Sequence, residues 1–139
     1  MGQERLGIVN PEVIKAVGAF GGGIASTGNV CGCLLGGVAV LSQATGKDTP
    51  QGREHPDMWR LTYKLTRRFQ KLCQPYGGIE CRRIAQVDWH DRDQVRAFYR
   101  DPHSRRQQHC AALVAATAEL LGRILDARDE KAREPEDKE

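Results

Sequence analysis

From Ala16 to Gly46 the chain carries no charged residue, and nine of the positions in that stretch are glycine. An uncharged run of that length has to leave water, whether in a protein core, at an interface or in a membrane. Its glycines decide between these. Gly21-Gly22-Gly23 would break a helix in mid-bilayer, where lipid offers no partner to the freed backbone groups. The run is therefore expected to be a buried or interface element, with no membrane span. A chain of 139 residues, 40% hydrophobic and 28% charged, is long enough to close a single core around it.

Helix signals bracket the run. Asn10-Pro11-Glu12 reads as a start: a capping side chain, a proline where no N–H is missed, and an acid at the positive end of the dipole. Val13, Ile14, Val17 and Phe20 follow at helical spacing, and the three glycines end the element. A second start is expected at Asn29, with Val30 to Ala44 as a central buried helix closed by Gly46. Beyond a polar connector, Asp57 is expected to cap a third helix. Its buried stripe is Met58, Leu61, Leu65, Phe69, Leu72 and Cys73, with Lys64, Arg67, Arg68 and Lys71 in water. Pro75-Tyr76-Gly77-Gly78 breaks it. Asp91 is placed to cap Gln94 to Tyr99. A long last helix from Ser104 to Arg133 buries Cys110, Leu113, Val114, Thr117, Leu120, Leu121, Ile124 and Leu125. No strand-like alternation competes. The expected fold is all-α, a single-domain bundle of four to five helices over residues 1–134, followed by a charged tail at 135–139.

A formal net charge of +3 is unevenly spread, since residues 60–106 hold twelve Lys and Arg against five Asp and Glu. Acids alternate with these bases and no nucleic-acid motif accompanies them, so solvated helix faces are expected and no nucleic-acid partner. Arg82 and Arg83 stand apart because they flank Cys81, and cations favour a thiolate. The triple glycine lacks the preceding strand and the Gly-Lys-Ser/Thr ending of a phosphate loop.

Five cysteines cannot all be consumed by internal disulfides, so at least one thiol is free, shared between chains or bound to something else. The apolar run Leu6-Gly7-Ile8-Val9 is too short for a secretory signal. The expected compartment is the cytoplasm, where thiols stay reduced. Cys31 and Cys33 fall at the expected helix start, where unpaired N–H groups and the dipole favour a negative sulfur. Two residues apart on a regular helix, they would point about 200° from each other, one to the core and one to a cleft. Cys73 completes a buried stripe as a small hydrophobe, Cys81 lies on a loop or element edge, and Cys110 lies on the buried face of the last helix. His109 is the one histidine adjoining a cysteine. His55, His90 and His103 are expected at loops or caps. No pair of C-x-x-C motifs announces zinc.

The segments Phe20-Gly21-Gly22-Gly23-Ile24 and Gly28-Asn29-Val30-Cys31-Gly32-Cys33-Leu34-Leu35-Gly36-Gly37, with later single cysteines at 81 and 110, resemble the C-GCAxxG-C-C family, to which a redox role is ascribed. The resemblance runs from about residue 10 to residue 125. It implies a helical fold whose cysteines are redox-active or hold a metal or cluster. On it, Gly32, Cys33 and Gly37 take the glycine-cysteine motif, with Leu34 in place of the family's alanine, and Cys81 and Cys110 are its last two cysteines. The family's first cysteine has no counterpart ahead of Pro11, which leaves Cys31 or Cys73 as its substitute.

Three readings follow. In a redox protein, Cys31, Cys33, Cys81 and Cys110 are the catalytic set: Cys33 or Cys31 is the thiolate nucleophile, Cys81 or Cys110 resolves it, and a redox partner protein is expected. In a metal module, several of Cys31, Cys33, Cys73, Cys81 and Cys110 ligate an iron–sulfur cluster or another thiophilic metal. Gly21, Gly22, Gly23 and Gly32 are the positions where a cofactor would approach the backbone. In a non-catalytic interaction subunit, the Gly32/Gly36 strip packs on a partner. The uncharged glycine-rich helix points to a homodimer.

Overall fold

The computed structural model describes residues 2–133, and among these the chain is all-α. In chain order the helices are α1 (Gly2–Leu6), α2 (Pro11–Val17), α3 (Gly32–Thr45), α4 (Asp57–Leu72), α5 (Cys81–Ala85), α6 (Arg92–Arg100) and α7 (Arg105–Arg133). Short 3-10 turns, Gly18–Phe20 and Gln74–Tyr76, extend α2 and α4. The expected caps at Asn10 and Asp91 form: Asn10 Oδ1 accepts from the N–H groups of Glu12 and Val13, and Asp91 Oδ1 from those of Asp93 and Gln94. Asp57 is the first residue of α4 rather than its cap. The tail at 135–139 lies outside the described residues.

Two expectations are corrected. Seven α-helices among the described residues exceed the four or five foreseen, because α1 and α5 span five residues each, too few to show a 3.6-residue period. Asn29 does not cap α3. Val30 instead makes an isolated antiparallel bridge with Glu80, in which Cys31 N donates to Ile79 O (2.9 Å) and Cys81 N donates to Asn29 O (2.6 Å). That pairing keeps residues 29–31 extended, so Cys31 becomes the cap and Gly32 the first helical residue.

The main core lies where α3, α4 and α7 meet. Leu34, Leu41, Leu61, Leu65, Phe69, Leu113, Leu120, Ile124 and Leu125 are each no more than 4% exposed. Close approach of α3 and α4 depends on Gly37, where a Cβ would lie 2.9 Å from Leu65 Cδ2. The buried hydroxyls of Thr45 and Thr117 donate to the carbonyls of Leu41 and Leu113 one turn back, leaving no orphaned oxygen. A smaller second cluster joins Cys81, Ala85, Val87, Trp89 and Phe98, and Cys110 packs against both. Helix α3 is buried along one face only, through Leu34, Gly37, Leu41 and Thr45, while Val114 of α7 stands 51% exposed instead of buried. Among the described residues no helix is long and apolar enough to cross a membrane.

Phe69, fully buried at the centre of this packing, sets a stability test. Phe69→Ala is expected to lower the unfolding free energy by about 3–5 kcal/mol, while Val114→Ala changes it by less than about 0.5 kcal/mol. Urea unfolding followed by circular dichroism measures both.

Candidate functional site

The approach to α3 is a left-handed turn. Gly22, Gly23, Ile24, Ala25 and Ser26 all have positive φ, between 51° and 71°. For the three non-glycine residues this costs about 1–2 kcal/mol apiece, with the β-branched Ile24 the least suited. Backbone hydrogen bonds between residues six apart close the turn: Ala25 N to Ala19 O (2.7 Å), Gly28 N to Gly22 O (2.9 Å) and Asn29 N to Gly23 O (3.0 Å). The Thr27 hydroxyl adds bonds to the carbonyls of Gly23 and Ile24. Gly23 is the position that admits no side chain. A Cβ there would lie 2.5–2.7 Å from the Asn29 backbone and from Cys81 Cβ. Gly32 meets the Phe20 carbonyl in the same way, at 2.9 Å. Of the glycines foreseen for a cofactor, Gly22, Gly23 and Gly32 thus pack against the chain's own atoms, and Gly21 faces open space.

Folding of this turn onto the Val30–Glu80 bridge sets Cys31, the cap of α3, beside Cys81, the first residue of α5, and α7 brings Cys110 against both core clusters. All five cysteines are free thiols. Cys31, Cys73 and Cys81 are buried, and Cys33 and Cys110 are half-buried. They form one electrostatic neighbourhood, because ionisation of Cys31 is felt by each of the other four.

The five sulfurs are unequal. Cys31 is lowered to about 7, chiefly because the Cys33 thiol donates to its sulfur, with the N–H groups of Cys33 and Leu34 adding to the effect against the penalty of burial. Those N–H groups face the sulfur without forming a regular side-chain cap. Cys33, having given its proton to that bond and lost solvent, is pushed strongly up. Burial raises Cys73 and Cys81 to about 12 and also raises Cys110, and in each the Cys31 charge adds to the effect. The expectation that they diverge does not apply, because Cys31 is the extended cap of α3 and Cys33 lies within it. The 200° separation holds for two residues inside a helix, and Cys31 is outside it.

Two groups that spacing did not single out border the sulfurs. Trp89 is 8% exposed, and its ring stacks edge-on against Phe98 at 5.6 Å. Its buried Nε1 has no hydrogen-bond partner, and the ring packs in the same cluster as Cys81. His109, whose ring lies 5.4 Å from that of Tyr76, has a buried Nδ1 that is likewise unpaired. Nothing in the sequence marks Trp89. It reaches the Cys81 cluster because Gln86 turns left-handed at the end of α5 (φ 53°) and folds the following residues back.

Access comes from the other side. Cys33 lines an apolar open cavity of about 370 Å³ with Gly32, Gly36, Gly37, Val114 and Leu121. The glycine strip of α3 is one wall of this space. Arg82 and Arg83 are exposed, with Arg83 paired to Glu80 at 3.2 Å, and neither is among the groups that shift the Cys81 thiol. Among the described residues, no group of three or more His, Cys, Asp or Glu side chains is arranged to hold a metal ion.

In comparison with known proteins, residues 1–124 match the model of the family described as "Putative redox-active protein (C_GCAxxG_C_C)". No curated protein and no solved structure matches the chain.

Two outcomes are expected of this geometry. Because the fold favours ionised Cys31, its thiolate forms as pH rises through about 7 and is lost below it. Alkylation of Cys31 by iodoacetamide, followed by peptide mass spectrometry, should rise between pH 6 and 8, and Cys33→Ala should move that rise toward the ordinary thiol range. Gly23→Ala meets both a positive φ and the Asn29 backbone. It should destabilise the protein by about 2–5 kcal/mol in thermal or urea unfolding, the sum of left-handed strain and overpacking.

Proposed function

This chain belongs to the C-GCAxxG-C-C family, and from that premise we propose that it is a dithiol–disulfide redox protein whose nucleophile is the Cys31–Cys33 pair. The observation that carries this reading is the placement of the two thiols: Cys31 caps α3, and Cys33 two residues on lines the open cavity. Cys31 is a thiolate near neutrality because Cys33 donates to it, and Cys33 is the member that borders the open cavity. Proton exchange between the two sulfurs would place the negative charge on the half-buried Cys33 at the cavity wall.

The reaction is an exchange. A thiolate of the pair attacks one sulfur of an incoming disulfide RSSR, forming a protein–SR bond and expelling RS⁻. Cys81 or Cys110, after losing its proton to the departing thiolate, attacks the protein sulfur and expels the second RS⁻. The protein loses two hydrogens as it forms one disulfide, and RSSR becomes two RSH. Reduction by a thiol partner runs the same steps in reverse. Such a cycle suits a compartment that keeps thiols reduced, and we assign the protein to the cytoplasm with a redox partner protein.

Convergence of five thiols from separate elements supports a second reading, in which the same cysteines take an iron–sulfur cluster or another thiophilic metal after local rearrangement. A third, a homodimer or interaction subunit, would cover the cavity wall of Gly32, Gly36 and Val114 with a second copy.

Anaerobic purification separates the first two. The dithiol reading expects metal-free protein with five titratable thiols, of which two disappear together on mild oxidation. Stoichiometric iron with a broad absorption band in the visible would overturn it in favour of the cluster, and five thiols inert to both reagents would favour the interaction subunit.

A further inference from the structure

Two helix glycines of the bundle have no cause within the chain. Gly32 and Gly37 of α3 are fixed by what a side chain would strike, the Phe20 carbonyl and Leu65. Gly36, one turn after Gly32, has no other part of the chain within 4 Å of the place a Cβ would take, and neither has Gly122 in α7. Neither adopts a positive φ. Glycine is the poorest helix former after proline, so both helices give up propensity for space that none of the chain's own atoms enters. The two spaces adjoin. Gly36 lines the cavity of about 370 Å³ that Cys33 borders, and Gly122 lines a second of about 340 Å³, with Ala118 and Leu121 as walls of both.

The chemistry of the first cavity is narrow. None of its lining residues carries a charge. Two have a polar side-chain atom, Cys33 and Thr117, and the Thr117 hydroxyl already donates to Leu113 O at 2.6 Å. Cys33 thus supplies the one reactive atom, set in a wall of Gly36, Val40, Val114 and Leu121. Charged side chains, Glu4 and Arg5, begin only in the adjoining cavity, where Arg5 is held by Asp126 and Asp129. Volumes of this size are those of small-molecule sites. An ionised group seated at Cys33 would lose water and gain no counter-charge, whereas each methylene laid on these walls is favourable. We infer that the substrate exchanged at Cys33 is a small, uncharged disulfide whose hydrocarbon substituents lie over Gly36 and along Leu121. The inference rests on the dithiol reading. Cys33, as thiolate, attacks one sulfur of R–S–S–R, where R is hydrocarbon; the Cys33–SR bond forms, the S–S bond breaks, and RS⁻ leaves with the electron pair. A second protein thiol attacks the Cys33 sulfur and expels the other RS⁻. Two protein thiols are oxidised to one disulfide, and their two protons end on two molecules of RSH. Anionic disulfides such as that of glutathione are disfavoured by the same walls.

Irreversible labelling of the whole reduced chain with maleimides reads the cavity apart from any redox step. N-methyl-, N-propyl- and N-benzylmaleimide are compared with the anionic N-(2-carboxyethyl) and cationic N-(2-aminoethyl) forms. The rate at Cys33, located by fragmentation of the labelled peptide, is divided by the rate with free cysteine. N-benzylmaleimide should exceed N-methylmaleimide by about tenfold, and both charged forms should fall about tenfold or more below N-propylmaleimide. Gly36→Leu should remove the benzyl advantage while keeping the native circular dichroism. Equal rates across the neutral series, slowing by charge of one sign only, or labelling that falls with rising protein concentration as a second copy covers the cavity, would each overturn the inference. Dipropyl disulfide and glutathione disulfide, scaled in the same way, test the substrate itself, and the former should oxidise the protein about tenfold faster or more. Equal scaled rates overturn the inference and leave the dithiol reading standing. If neither oxidises the protein while the maleimide order holds, the dithiol reading falls and the substrate class with it, leaving only the cavity's preference for apolar reagents.

Discussion

Two backbone hydrogen bonds, Cys31 N to Ile79 O and Cys81 N to Asn29 O, hold the site together. They join segments fifty residues apart in a chain that is otherwise helical, and they do so at one bridge. The bridge forces residue 31 to be extended, which makes Cys31 the cap of α3 rather than part of it. As a cap, its sulfur can meet Cys33 and the first free N–H groups of the helix. Inside the helix it would have pointed away from both. The same bridge sets Cys81 at the start of α5, beside the left-handed turn.

That turn explains the concentration of glycine. Approach of the 22–28 segment to Asn29, Cys81 and Trp89 leaves no volume for a Cβ at residues 23 and 28. Ile24, Ala25 and Ser26 nevertheless adopt positive φ without the freedom of glycine. Strain of this kind persists where the surroundings over-determine the backbone, and it gathers at functional sites. Here the closing hydrogen bonds and the Thr27 hydroxyl hold it, next to Cys81.

Much of the fold could be read from the chain before its structure. The Asn10 and Asp91 caps, the Leu61-Leu65-Phe69 stripe and the long last helix follow from local signals that packing does not override. Two things were not legible. Five-residue helices carry no period, so α1 and α5 escaped. The bridge at Val30 is a long-range pairing of single residues with no alternating pattern to betray it, and Asn29 carries a good capping side chain that the bridge prevents from being used. Missing the bridge also misplaced Cys31 relative to Cys33. The cysteines could be singled out from the sequence, but which of them the fold makes the more acidic, and that Trp89 packs in the Cys81 cluster, depend on the fold.

The sulfurs divide into the Cys31–Cys33 pair, of which Cys33 lines the cavity, and thiols behind it that burial keeps protonated. On the dithiol reading this division suits an exchange: within the pair one sulfur is ionised and its neighbour is reachable, and a third thiol is silent until a mixed disulfide forms beside it. The most direct test is an equilibrium titration of the intact protein under argon in thiol–disulfide buffers of stepped ratio, with free thiols trapped and counted by mass at each step. The account predicts a single two-electron transition that consumes two of the five thiols and reverses fully on reduction. Five thiols persisting across the whole range of buffers would contradict it.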